Sequence, residues 1–227
     1  MKYFWIQHSA NLKEVGVFPQ CTDAKNFTEI QKFGLGYFDK ISKPFLLPEP
    51  ILRNNAKQTD LLYVVPVSSP VFLVISDDLI NYIVPEISGI YQKWKLSAYF
   101  KGNLITKYNL FHLSNPSQKH IIDFKNSEFR NKNNKTKEEK LVGFSNYQDY
   151  HKKWEDTIYS NGSILIKSLT IDLRDMENDI FRIIELNFMG IGYYVSEKLK
   201  NKLENIGFTG IQFIPIDEID PRIKVIY

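Results

Sequence analysis

The sequence predicts an α+β fold: a mostly antiparallel or mixed sheet carrying two or three short helices. Three observations lead there. Short apolar and β-branched runs cluster along the chain instead of alternating strictly with helical patterns. Aromatic residues make up 14% of the chain, and large rings suit a pleated surface. Complete helix-start signals are few, and the clearest are two short serine-capped units.

The elements follow in chain order. Tyr3–Gln7 reads as a first strand, and it is too short to be a signal peptide. Gly36–Phe38 is a further strand candidate. Pro44 to Pro50 holds three prolines, which suit an extended connection and oppose a helix or a central strand. Leu61–Val67 and Val71–Ile75 are strand-like, the second apolar throughout. Ser76-Asp77-Asp78 then caps a helix running to about Ile83 and stopped by Pro85. Trp94–Phe100 and Lys107–Leu113 are strands, followed by a turn at Ser114-Asn115-Pro116-Ser117. Ile121–Phe129 is a strand or an extended segment.

Lys125 to Lys140 is a dense basic run that also carries Glu128, Glu138, Glu139 and asparagines, so it reads as a solvated loop or insertion. From Phe144 to Tyr159, Tyr147, Tyr150, His151 and Trp154 share helical spacing. Asn161-Gly162 signals a turn. Ser163–Leu173 and Asp179–Asn187 look like two strands of a hairpin joined by an acidic link.

The C-terminal unit is the clearest. Ser196 is a good N-cap, with Glu197 at the positive end of the helix dipole. Leu199, Leu203 and Ile206 form one apolar stripe, and Gly207 is placed to end the helix in a left-handed conformation. Gly210 opens a last strand, Ile211 to Ile216. Val74-Ile-Ser-Asp-Asp-Leu79 echoes Tyr194-Val-Ser-Glu-Lys-Leu199, so an internal duplication and convergent cap chemistry both explain the likeness. One domain spans 1–227, or two similar subdomains meet near 115/116, with a solvated insertion near 130–140.

Composition limits the function classes. Net charge is +3, too weak alone to argue for nucleic-acid binding. The single cysteine, Cys21, rules out an intrachain disulfide, fits a reducing cytoplasm, and has no histidine signature beside it. No apolar run reaches the roughly 20 residues of a membrane helix. No phosphate-binding glycine loop, nucleophile elbow or zinc spacing is present. The acids Asp172, Asp175, Glu177 and Asp179 read as a hydrated turn, lacking the glycine and glutamate of a calcium loop. No cofactor and no metal are expected.

Val195-Ser196-Glu197-Lys198-Leu199, then Leu203, Gly207-Phe208-Thr209-Gly210-Ile211 and Phe213-x-Pro215, resembles the C-terminal signature of bacterial immunity proteins of polymorphic toxin systems. Leu73 to Leu79 is similar to that family's first serine-capped helix, and Ile122-Asp123-Phe124-x-x-Ser127-x-Phe129 to its middle segment. The match covers about residues 60–216. It implies a non-enzymatic cytoplasmic protein that binds and neutralises a cognate toxin domain. Such binding needs buried aromatic anchors and complementary charge. Tyr147, Tyr150 and Trp154 are the candidate anchors, and Asp217, Glu218 and Asp220 the candidate steering charges. The alternative is a hydrolase-like enzyme in which groups such as Asp172, Asp175, Glu185, His112 and His151 converge. A nucleic-acid module on the Lys125–Lys140 run is the weakest reading.

Overall fold

The computed structural model describes residues 1–33, 39–114, 121–183 and 192–227, apart from the side chain of Ile158. Its strands are β1 (Tyr3–His8), β2 (Asp23–Lys25), β3 (Glu49–Leu52), β4 (Leu61–Leu62), β5 (Leu73–Ser76), β6 (Ile90–Phe100), β7 (Asn103–Ser114), β8 (Glu128–Asn133), β9 (Glu139–Val142), β10 (Gly162–Asp172), β11 (Ile180–Ile183), β12 (Gly192–Ser196), β13 (Ile211–Pro215) and β14 (Ile223–Ile226). Four helices accompany them: α1 (Leu12–Val15), α2 (Asp77–Ile83), α3 (Tyr147–Tyr159) and α4 (Glu197–Ile206). The fold is α+β and dominated by sheet.

Three sheets form, in the orders β2-β3-β6-β7-β5-β4, β11-β12-β1-β13 and β14-β10-β8-β9. All pairings are antiparallel except β3 with β6 and β10 with β14. Strand alternation turns these sheets into layers, because successive side chains face opposite sides. In the six-stranded sheet, Val74, Leu96 and Leu110 face one core with Cys21, Leu52 and Val64. Leu73, Ile75 and Phe111 face a second core. That second core is shared: Phe4, Ile180, Tyr193 and Val195 of the next sheet enter it, with Leu79, Ile80 and Ile83 of α2 and Leu199 and Leu203 of α4. The opposite face of the same strands, Tyr3, Phe181 and Tyr194, meets Phe129, Ile166 and Ile171 of the third sheet in a third core.

The two serine-capped units are alike well beyond their short sequence match. β4-β5-β7-β6 and β11-β12-β1-β13 share strand order and direction. Leu61 pairs with Ile75 as Ile180 pairs with Val195, and Ser76 lies opposite Tyr108 as Ser196 lies opposite Tyr3. In each unit the serine hydroxyl accepts from the leucine N–H three residues on, at 3.2 Å for Leu79 and 3.1 Å for Leu199. One strand departs from the chain order. The place of β7 is filled in the second unit by β1, from the N-terminal end, so the halves do not divide near 115/116.

Several sequence expectations change. Among the described residues, the expected strands Ser163–Leu173 and Asp179–Asn187 do not pair as a hairpin. β10 pairs with β8 and β14, whereas β11 pairs with β12 in another sheet. The basic run is strand–turn–strand, with Phe129 and Val142 paired across β8 and β9. The expected strand Leu61–Val67 stops at Leu62, and Val64 makes an isolated bridge to Cys21. Pro50 lies inside β3; it pairs with Ala24 of β2, while the β6 ladder begins only at Ile51, so its missing N–H is not needed there. Ile206 of the expected α4 stripe is exposed. Gly36–Phe38, the turn after Ser114 and the end of the Asp179–Asn187 run lie outside the described residues.

A buried polar knot joins the first two layers. The Val71 carbonyl accepts from Arg182 Nη1 at 3.0 Å and from the Tyr193 hydroxyl at 2.7 Å, and His112 Nδ1 lies 3.2 Å away. His112 Nε2 lies 3.0 Å from the Asp39 carbonyl. Burial, and then the Arg182 charge, push the His112 pKa down to about 4. The imidazole is therefore neutral near pH 7.

Candidate functional site

The residues of the C-terminal signature hold the scaffold together. Gly207 ends α4 at φ 85°, the left-handed conformation that glycine adopts without a side-chain penalty. Thr209 then clasps Asp60 of the other unit: its N–H and its hydroxyl both donate to Asp60 Oδ2, at 2.9 and 2.8 Å. The Asp60 N–H returns a bond to the Thr209 carbonyl at 3.0 Å. Gly210 follows at φ 81°, where an added Cβ would lie 2.2 Å from the Leu61 carbonyl oxygen. Its N–H donates to Glu14 Oε1 at 2.6 Å. Ser76 donates to the remaining Asp60 oxygen at 2.8 Å. These are packing and hydrogen-bonding roles.

The candidate anchors sit on α3, which lies against β10 over the third core. Asn146 caps the helix by accepting from the Asp149 N–H at 3.0 Å. Tyr150 is only 3% exposed and packs among Phe124, Phe129 and Phe144, with the Phe144 ring edge-on at 5.4 Å. Its ring therefore belongs to the core and is not presented to a partner. Tyr147 and Trp154 are half-buried along the helix flank, linked through His151 at centroid distances of 5.6 and 5.7 Å.

The steering charges divide in the same way. Asp217 and Glu218 are exposed on a single 3-10 turn after β13. Asp220 is 6% exposed, and Arg222 grips both its oxygens, at 2.9 Å from Nε and 2.6 Å from Nη2. That pairing holds its carboxyl down at about 2 and neutralises it locally. Asp220 is a structural counter-ion, not a free charge.

The groups that an enzyme would gather are dispersed. His112 is in the buried knot and His151 on the α3 flank. Asp172 is engaged bidentately by Arg174, at 3.0 and 2.6 Å. Asp179 accepts from Ser196 and from Lys198. Burial pushes the Cys21 thiol up to about 12, which keeps it protonated. Glu185 lies outside the described residues.

Sequence reasoning missed the most exposed features. Tyr159, the last residue of α3, is 88% exposed, and Leu141 on the edge strand β9 is 73% exposed. Leu141 lies in the basic hairpin itself, and Tyr159 just precedes the turn that is hydrogen-bonded to it. Tyr159 directly precedes the Ser160-Asn161-Gly162 turn, a signal that marked a helix end but not an exposed ring. Beside that turn lies an open hollow of about 250 Å³, lined by Asn131, Lys132, Asn133, Glu138, Lys140, Ser160 and Gly162. Glu138 pairs with Lys140 there, and the amides and the Lys132 ammonium suit hydrogen bonds and charge pairing with another macromolecule.

No protein-family model matches the sequence, and no curated protein matches it.

Proposed function

We propose that this protein is an immunity protein: it binds a cognate bacterial toxin domain in the cytoplasm and neutralises it without catalysing a reaction. The observation that carries this reading is the use made of the signature. Thr209 and Gly210 stitch the second capped unit to the first, while Ser196 and Gly207 start and end its helix, as expected of a signature that specifies a binding fold. Exposed Tyr159, Leu141, Asp217 and Glu218, with half-buried Tyr147 and Trp154, supply the anchors and charges that such binding needs. The test is co-expression with the protein encoded by the adjacent open reading frame. Growth rescue and a complex that co-elutes on a sizing column are expected. No rescue together with no complex removes the proposal.

A further inference from the structure

The geometry points to the tip of the β8–β9 hairpin, together with the end of α3, as a docking surface for an acidic protein face. This inference rests on the immunity reading for its biological partner, but its surface is testable separately. Lys125, Arg130, Lys132, Lys135, Lys137 and Lys140 stand against Glu128, Glu138 and Glu139 in this short stretch. The surplus of three positive charges equals the net charge of the whole chain, +3, so the rest of the molecule is balanced.

The acids are already used. Glu128 pairs with Arg130 at 3.0 Å, Glu138 with Lys140 at 3.3 Å and Glu139 with Lys167 at 3.0 Å. Lys132, Lys135 and Lys137 have no ion pair among the described residues. Surplus charge of one sign draws a partner of the other and accelerates encounter.

The tip is held in shape, which reduces the entropy lost on binding. Asn133 Oδ1 accepts from the N–H groups of Lys135 and Thr136, at 2.9 and 3.1 Å. Asn134 ties the hairpin to the end of α3. Its N–H donates to the Asn161 carbonyl at 3.1 Å and its Nδ2 to the Gly162 carbonyl at 3.2 Å, while Ser163 donates to its Oδ1 at 3.2 Å. The lysines and the exposed Tyr159 ring therefore share one braced end of the molecule. Tyrosine is a rigid anchor of the kind that interfaces favour.

Two measurements test this. In the first, the full chain is titrated with a short polyglutamate peptide and, separately, with single-stranded DNA of equal charge, at about 50 mM salt, where charge pairing is little screened. Amide shift changes from the peptide are expected at residues 132–140 and 159–163, and K132E/K135E/K137E is expected to abolish them. Changes spread evenly over lysines elsewhere, or tighter binding of the DNA, overturn the inference. In the second, association with the toxin domain that the co-expression test identifies is timed. K132E/K135E/K137E is expected to slow it about tenfold, Tyr159→Ala to speed dissociation, and the charge-matched K40E/K43E/K101E to leave both rates unchanged. Wild-type rates for the first two variants overturn the surface while leaving the immunity reading intact. If no complex forms with the toxin, that reading fails and the peptide mapping still decides the surface.

Discussion

Asp60 and Asp179 occupy equivalent positions in the two capped units, each one residue before an edge strand and each accepting a hydrogen bond from the serine that caps the neighbouring helix. The backbone repeats the relationship: the Ser76 N–H donates to the Asp60 carbonyl at 2.8 Å, and the Ser196 N–H to the Asp179 carbonyl at 2.9 Å. The second carboxylate oxygen differs. That of Asp60 reaches Thr209 in the other unit, and that of Asp179 takes Lys198 of its own helix.

Replacing either serine therefore removes a cap and leaves an aspartate short of a partner. Ser76→Ala and Ser196→Ala are each expected to cost about 1–2 kcal/mol. Urea denaturation of both variants checks this. A loss at one serine and none at the other would show that the units are not energetically equivalent.

Gly210→Ala should destabilise the chain by more than about 2 kcal/mol, because it adds a left-handed alanine and a clash with the Leu61 carbonyl. Thermal unfolding reads the effect. Gly102→Ala is the control: it has a similar φ of 80° but open space around it, so only the conformational cost remains.

Tyr150→Ala is expected to cost about 3–5 kcal/mol by opening a cavity among Phe124, Phe129 and Phe144. Asp217→Asn on the exposed turn should shift stability by less than about 0.5 kcal/mol. Comparing their denaturation midpoints separates core from surface on these two elements.

Acid should unfold this protein early. Burial lowers the pKa of His8 to about 4 and, with Arg182, that of His112 to about 4, against 6.5 for the free group. Both imidazoles take up a proton more readily in the unfolded chain. Their stabilising contribution is complete above about pH 6.5 and is lost as pH falls toward 4, by up to about 3 kcal/mol per histidine. His8 Nε2 is buried without a hydrogen-bond partner among the described residues, and the ring packs tilted against Tyr63 at 4.7 Å. His8→Phe should keep the ring contact and remove about half of this pH dependence between 6.5 and 4, leaving the part due to His112, as read by urea unfolding at each pH.

The local parts of this fold were legible in the residues because their causes are local. Ser76, Ser196 and Gly207 announce helix ends through backbone groups only a few positions away. Partner choice was not legible. β10 and β11 are neighbours in sequence, yet each finds its ladder elsewhere, in β8, β14 and β12. The repeat was hidden because its third strand comes from the other end of the chain. On α3 the helical spacing of Tyr147, Tyr150 and Trp154 was correct, but spacing cannot say which flank meets the core. Asp220 looked free because two positions separate it from Arg222, and only the turn brings their charged ends together.

The position of β1 imposes an order on folding. Tyr3 to His8 are made well before the strands on either side of them, β12 and β13, which begin at Gly192 and Ile211. During synthesis this hydrophobic ribbon waits, without its eventual neighbours, until β12 and β13 have emerged. Closure of the middle layer is thus a late event with a large loop to close. Until then the segment's bare edges are open to pairing with other nascent chains, a hazard best met by a chaperone or by rapid completion.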